Sequence, residues 1–201
     1  MPVPSILGPF VDIPAIPAAQ LTASPPTAPE RSSKILSFTM QGQKQTEWCW
    51  AATSASISVF YRDNPALSQC EVASRCIGID CCITPLPPAP PPYWEGNRTW
   101  ALEDALHKIN HLARGPTDQP LTFQEIKNEI DQERPVCCRI SWGHFNAIVG
   151  YYDDGHQDVV VRDPRYPGDH TLPYELFVSP NGYHGGYWQN SYLTARVGNA
   201  D

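Results

Sequence analysis

Charge is scarce in this chain. Asp, Glu, Lys and Arg make up 17% of its 201 residues, too few for a solvated coiled coil or a polyelectrolyte. Positive charge is the scarcer sign. There are 14 Lys+Arg against 21 Asp+Glu, a net charge of −7, and no basic run, which argues against nucleic acid as a partner. No apolar stretch approaches the roughly 18 residues of a membrane span. The opening Met1-Pro-Val-Pro-Ser-Ile-Leu7 has neither a charged leader nor a continuous apolar run, so no signal peptide is expected. No Cys-x2-Cys pair occurs, and no internal repeat is visible. His107 and His111 are four apart, but Lys108 stands where a helical zinc protease needs Glu. They read as exposed helix residues. His156, His170 and His184 fall in turn-rich segments. The expectation is therefore no metal and no other cofactor.

Proline and cysteine, in contrast, are abundant. Of 22 prolines, eight lie in residues 2–29 and six more between Pro85 and Pro92. Residues 1–34, rich in Pro, Ala and Ser, carry too little apolar surface to offset the entropy of ordering and read as an extended head or linker. Residues 35–201 form the expected folded domain, within the size of one ordinary domain.

Residues 46–61 read as a helix with Thr46 as cap. It is nearly uncharged, rich in Ala and Ser, and apolar almost all round, the mark of a buried central helix. Residues 64–98, with four cysteines and the proline run, look irregular. A second helix is expected after a Thr99 cap, with Leu102, Ala105, Leu106, Ile109 and Leu112 as its apolar stripe. A third starts at Thr122, with Glu125 in capping-box spacing and Pro135 beyond its end. Then the period shortens: 136–141, 145–152, 158–162, 172–178 and 187–195 read as strands. Helices first and strands second give an α+β fold whose layers leave a cleft between them.

Cys49 would lie in the first turn of the buried helix, where free N–H groups and a partial positive charge favour a thiolate. Three further residues support it. Gln43, six positions before, carries an amide able to turn back toward an oxyanion, although Gln41 and Gln45 are rivals on composition. His144 opens a strong strand after Gly143. Asp163 ends the run Val159-Val-Val-Arg-Asp-Pro164 and suits a carboxylate that fixes an imidazole tautomer. Nucleophile, oxyanion donor, base and orienter then follow in an order that one cleft can gather.

The spacing Gln43-x5-Cys49, the string Trp48-Cys-Trp-Ala-Ala52, Gly143-His144-Phe145 and Arg162-Asp163-Pro164 resemble the papain-like cysteine peptidases. With Cys70, the Cys81-Cys82 doublet and Arg134-Pro-Val136, the chain looks like the bacterial subgroup of avirulence-type effector proteases injected into plant cells. The resemblance covers roughly 38–195. It implies a papain-like fold in which a central nucleophile helix packs against an antiparallel sheet or half-barrel. It implies Cys49 as nucleophile, His144 as base, Asp163 as orienter and Gln43 at the oxyanion hole. The activity it implies is endopeptidase cleavage of a protein substrate, with a cognate inhibitor or immunity protein as a further partner and a monomeric chain. Amidase, deamidase or acyltransferase chemistry uses the same residues, and a disulfide-stapled binding module without activity is the non-enzymatic alternative.

Six cysteines besides Cys49 allow three bridges: Cys70, Cys76, Cys81, Cys82, Cys137 and Cys138. Neighbouring cysteines rarely pair, so each doublet is expected to reach elsewhere. A staple within 70–82 is expected, and a link from that loop to Cys137 or Cys138 would join helices to strands. Bridges without a signal peptide point to export by a dedicated machine or delivery into a target cell, with the cytoplasm as the alternative.

Overall fold

The computed structural model describes residues 31–86 and 94–196. Most of the Pro-rich head and of the second proline run lies outside them.

The first described element is a strand, and it takes into the folded domain Ser32–Lys34, residues expected in the head. β1 (Ser32–Ile35) pairs with the far half of the long strand β4 (His144–Asp153), while β3 (Val136–Ile140) pairs with its near half, so two strands share one edge of β4. The exchange is possible because Gly150 faces Ile35 without a side chain. A Cβ there would stand 2.7 Å from the Lys34 carbonyl oxygen. On the other edge β4 pairs with β5 (Gln157–Arg162), and β5 with β6 (Asp169–Pro173). β7 (Trp188–Thr194) and β2 (Leu112–Thr117) extend the sheet beyond β3, giving the order β2-β7-β3-β4-β5-β6 with every pairing antiparallel.

Helix α1 (Cys49–Phe60) packs on β4 and is the middle of a helical layer with α2 (Gln69–Ile77) and α3 (Leu102–Lys108). Its first ten residues are all buried, as its composition predicts. Small side chains permit that burial: Ala51, Ala52, Ala55 and the serines let neighbours approach from every side. Helix α4 (Phe123–Asp131) sits against β1, β3 and β4, and α5 (Tyr174–Val178) against β5, β6 and β7.

The architecture is α+β, but six expectations need correction. Thr46 does not cap α1. Its hydroxyl accepts from the Asn97 amide instead, and Trp48 takes the cap position with no side-chain hydrogen bond. Thr99 does not cap α3, which starts after Ala101. Leu112, expected on that helix, opens β2. Residues 172–178 are not one strand, because the chain turns into α5 after Pro173. His111 is buried rather than exposed, held between the Ala195 carbonyl and the Asp63 carboxylate. Finally, the segment after 64 is not irregular throughout. α2 carries a complete capping box, Ser68 with Glu71, and closes on the left-handed Gly78.

The cysteines also differ from the three-bridge expectation. Among the described residues one disulfide forms, Cys70–Cys82, which is the staple expected within that loop. Cys76, Cys81, Cys137 and Cys138 are free and buried. Cys137 and Cys138 lie on β3, between β4 and β7, where alternation sends successive side chains into opposite faces of the sheet. Neither sulfur reaches the Cys70–Cys82 loop.

Candidate active site

Three chain segments build the site: the start of α1, the start of β4, and the loop after β5.

The start of α1 is bolted down from outside the helix. The Trp48 and Trp50 indoles donate to the carbonyls of Gly96 and Arg98 at 2.7 and 3.0 Å, and the Glu47 N–H donates to the Asn97 side chain. Asn97 thus spends both ends of its amide on this corner. Cys49 occupies the first helical position. The Phe145 and Trp50 N–H groups reach its sulfur, which sets the thiol against the residue that follows His144. Burial pushes the thiol up to about 11. Those two N–H groups pull the other way, and the Glu47 and Asp163 charges add to the rise. At neutral pH Cys49 is therefore a thiol unless a base removes its proton.

At the start of β4, Gly143 adopts φ +88°, a conformation that suits glycine and closes a turn onto the Ile140 carbonyl. That turn delivers His144 into the protein. Its Nε2 lies 2.7 Å from Asp163 Oδ1, and both side chains are buried. A carboxylate only accepts, so Nε2 carries the proton and Nδ1 is left as the basic nitrogen. The indole of Trp142 lies flat on the imidazole, centroids 4.6 Å apart and planes 10° apart.

Asp163 is held from all sides. The Arg165 and Tyr166 N–H groups donate to Oδ1 at 2.7 and 3.2 Å, and the Tyr183 hydroxyl donates to Oδ2 at 3.0 Å. Burial pushes its carboxyl up, but the His144 bond and charge, the Arg165 N–H and the Tyr183 hydroxyl outweigh burial and hold it below the usual carboxylate range. Tyr183 moves the opposite way. Burial and the neighbouring carboxylate raise its phenol far above the ordinary value, so it stays a donor.

Gln43 joins the site through its backbone, whose N–H donates to the Pro164 carbonyl at 2.9 Å. Its side-chain Nε2 donates to the carbonyls of Gln45 and Thr46 at 2.9 and 2.7 Å, while Oε1 is buried without a partner. Both amide protons are thus engaged within its own loop. The two rivals are placed elsewhere: Gln41 meets Ser56 and Gln69, and Gln45 is buried.

Beside Cys49 opens a recess of about 480 Å³, walled by Trp50, Trp100, Phe145 and Tyr192 with Arg139 at its edge. Of the aromatics weighed for the cleft, Trp50 reaches it. Trp142 stands outside that recess, on the face of His144. Trp48 is core, and Tyr151 bonds Asp131. Sequence reasoning missed Tyr183 entirely, since it comes from a long loop after α5 and bears no motif. The Arg165 and Tyr166 amides had a signal in the Asp-Pro turn that precedes them.

Residues 32–177 match the family model described as papain-like cysteine protease AvrRpt2. No curated protein matches the chain. The match spans Gln43, Cys49, His144 and Asp163 and stops short of Tyr183 and β7.

Proposed function

The chain belongs to the papain-like cysteine protease family of AvrRpt2, and from that membership we propose that it cleaves protein substrates with Cys49, His144 and Asp163 as a triad and Gln43 as an oxyanion donor. The observation that carries the assignment is the buried 2.7 Å bond from His144 Nε2 to Asp163, which fixes the tautomer with Nδ1 as base.

In this reading the Cys49 proton passes to Nδ1, and the thiolate attacks the substrate carbonyl carbon. The developing oxyanion meets the Cys49 N–H, which no helical carbonyl claims. The Gln43 amide joins it by turning one proton away from its own loop. Each such donor lowers the barrier by roughly 3 kcal/mol. The imidazolium then protonates the leaving nitrogen and the amine departs. Water, deprotonated by the same imidazole, clears the thioester. Trp142 keeps bulk water off the ring, so the His144–Asp163 bond acts in a medium of low dielectric.

We further read the protein as an effector delivered into a target cell, with the Pro-rich residues ahead of β1 as a head outside the protease domain. Family membership supports the first point and composition the second. Among the described residues no helix is long and apolar enough to cross a membrane.

The test is Cys49→Ala. Cleavage of a casein or proteome-derived substrate is expected to vanish while the melting temperature stays within a few degrees of wild type. Undiminished turnover in that variant removes the assignment.

A further inference from the structure

Beyond the triad, the site carries a cation with nothing assigned to it. Arg165 is exposed, and its guanidinium stands 5.8 Å from the Trp142 ring centroid and 5.9 Å from that of Tyr166. Its backbone N–H is among the donors to Asp163 Oδ1, so the carboxylate that orients His144 also places Arg165. Among the described residues the Arg165 side chain forms no ion pair, whereas three other arginines are engaged. Arg162 pairs with Asp169, Arg134 with Glu129, and Arg139 donates to Gln189. An arginine held over two aromatic faces keeps its five donors in a fixed plane and loses little freedom on binding an anion. Here that plane borders the reacting imidazole in a chain whose net charge is −7.

Direction along the substrate follows from the chemistry. His144 hands its proton to the leaving nitrogen, so the departing half of the peptide passes His144 and the Trp142 face that covers it. Trp142 is 39% exposed, open to that segment. The acyl half lies over the recess beside Cys49. We propose that Arg165, on the Trp142–Tyr166 platform, is a substrate subsite that takes the carboxylate of an Asp or Glu side chain within the first three residues after the scissile bond. The inference rests on the protease reading above. Of the charged groups nearby, Asp163 is buried with both oxygens occupied, while His184 stacks on the Tyr166 ring and His170 bonds the Tyr166 carbonyl, adding no anion. The expected preference for an acid over its amide is about threefold to fivefold in kcat/KM, the size of one ion pair at an exposed site.

The experiment digests a proteome-derived peptide library with the full chain and maps every cut by mass spectrometry. Wild type, Arg165→Gln, Arg165→Glu and Cys49→Ala are compared. Asp and Glu are expected to be enriched within three residues after the cut for wild type. Arg165→Gln is expected to lose that enrichment, and Arg165→Glu to replace it with Lys and Arg, while preferences before the cut stay the same in all three. If wild type yields no cuts above Cys49→Ala, the protease reading itself fails. If wild type cuts without acidic enrichment, or Arg165→Gln retains it, the subsite is overturned and the protease reading stands. Cuts clustered within three residues of peptide C-termini would overturn it too, since the carboxylate bound would then be the chain terminus.

Discussion

Tyr183 and Asp163 are joined by a buried hydrogen bond, 3.0 Å from the phenol to Oδ2, the carboxylate oxygen that His144 leaves open. Four donors thus converge on one carboxylate: two backbone N–H groups of its own loop, and the His144 imidazole and Tyr183 phenol from beyond it.

Removing that phenol tests its positioning role. Tyr183→Phe keeps the packing against Phe177 and His170 but leaves Oδ2 short of a donor. The Asp163 carboxyl should rise, because one of the bonds that lowers it is gone. Its contribution to activity is present above that value and lost as pH falls through it, so the acid limb of kcat/KM should move to higher pH. A fall of about tenfold in kcat is expected, the size of a hydrogen bond to a charged group. An unshifted acid limb would mean that Tyr183 only fills space.

The thiol of Cys49 should depend wholly on His144. Its own surroundings push it up to about 11, so in His144→Ala the thiolate fraction falls about tenfold for each unit below that pH. The rate of alkylation by iodoacetamide should then climb steadily from pH 7 to 11. Wild type should instead react readily below neutrality, where imidazole accepts the proton. Identical profiles for the two proteins would break the proposed pairing.

Gly186 should be intolerant of any side chain. A Cβ there would stand 2.5 Å from Trp142 Cδ1 and 2.7 Å from Ile140 Cγ2. Gly186→Ala is expected to push the indole off the imidazole, lower kcat, and alter Trp142 fluorescence. A stability loss of about 1–3 kcal/mol should accompany it, the usual cost of overpacking. Wild-type activity would show that the stack is dispensable.

The Cys70–Cys82 staple should matter to folding rather than to chemistry. It joins the start of α2 to the loop twelve residues on, and closing a loop of that length contributes about 3 kcal/mol. Cys70→Ser should lower the melting temperature by about 10 °C while leaving kcat at low temperature unchanged. Equal melting curves with and without reductant would contradict it.

How legible was all this in the sequence? α4 was readable because every local signal agreed: Thr122 and Glu125 form the capping box, and Phe123, Ile126 and Ile130 face inward. α1 was readable from composition, except at its start, where the Asn97 loop replaces a side-chain cap. α2 carried an equally good box in Ser68 and Glu71, masked by its polar composition, its cysteines and the prolines that follow. β1 and β2 have little strand character of their own. They form because β4 and β7 offer edges, which only the tertiary structure supplies. Cys49, His144 and Asp163 stood out because each sits at the end of a strongly patterned element. Tyr183 and Trp142 act through contacts that no local pattern encodes.

The four unbridged core sulfurs other than Cys49 give the molecule a built-in record of its own breathing. Cys137 and Cys138 sit on the central strand, so they meet solvent only when the whole sheet comes apart. Cys76 and Cys81 lie at and just beyond the end of α2, where opening needs only the loss of that helix and its loop. Timed labelling of these sulfurs therefore separates local fraying from global unfolding within one chain, reading two rungs of its stability ladder without isotope exchange.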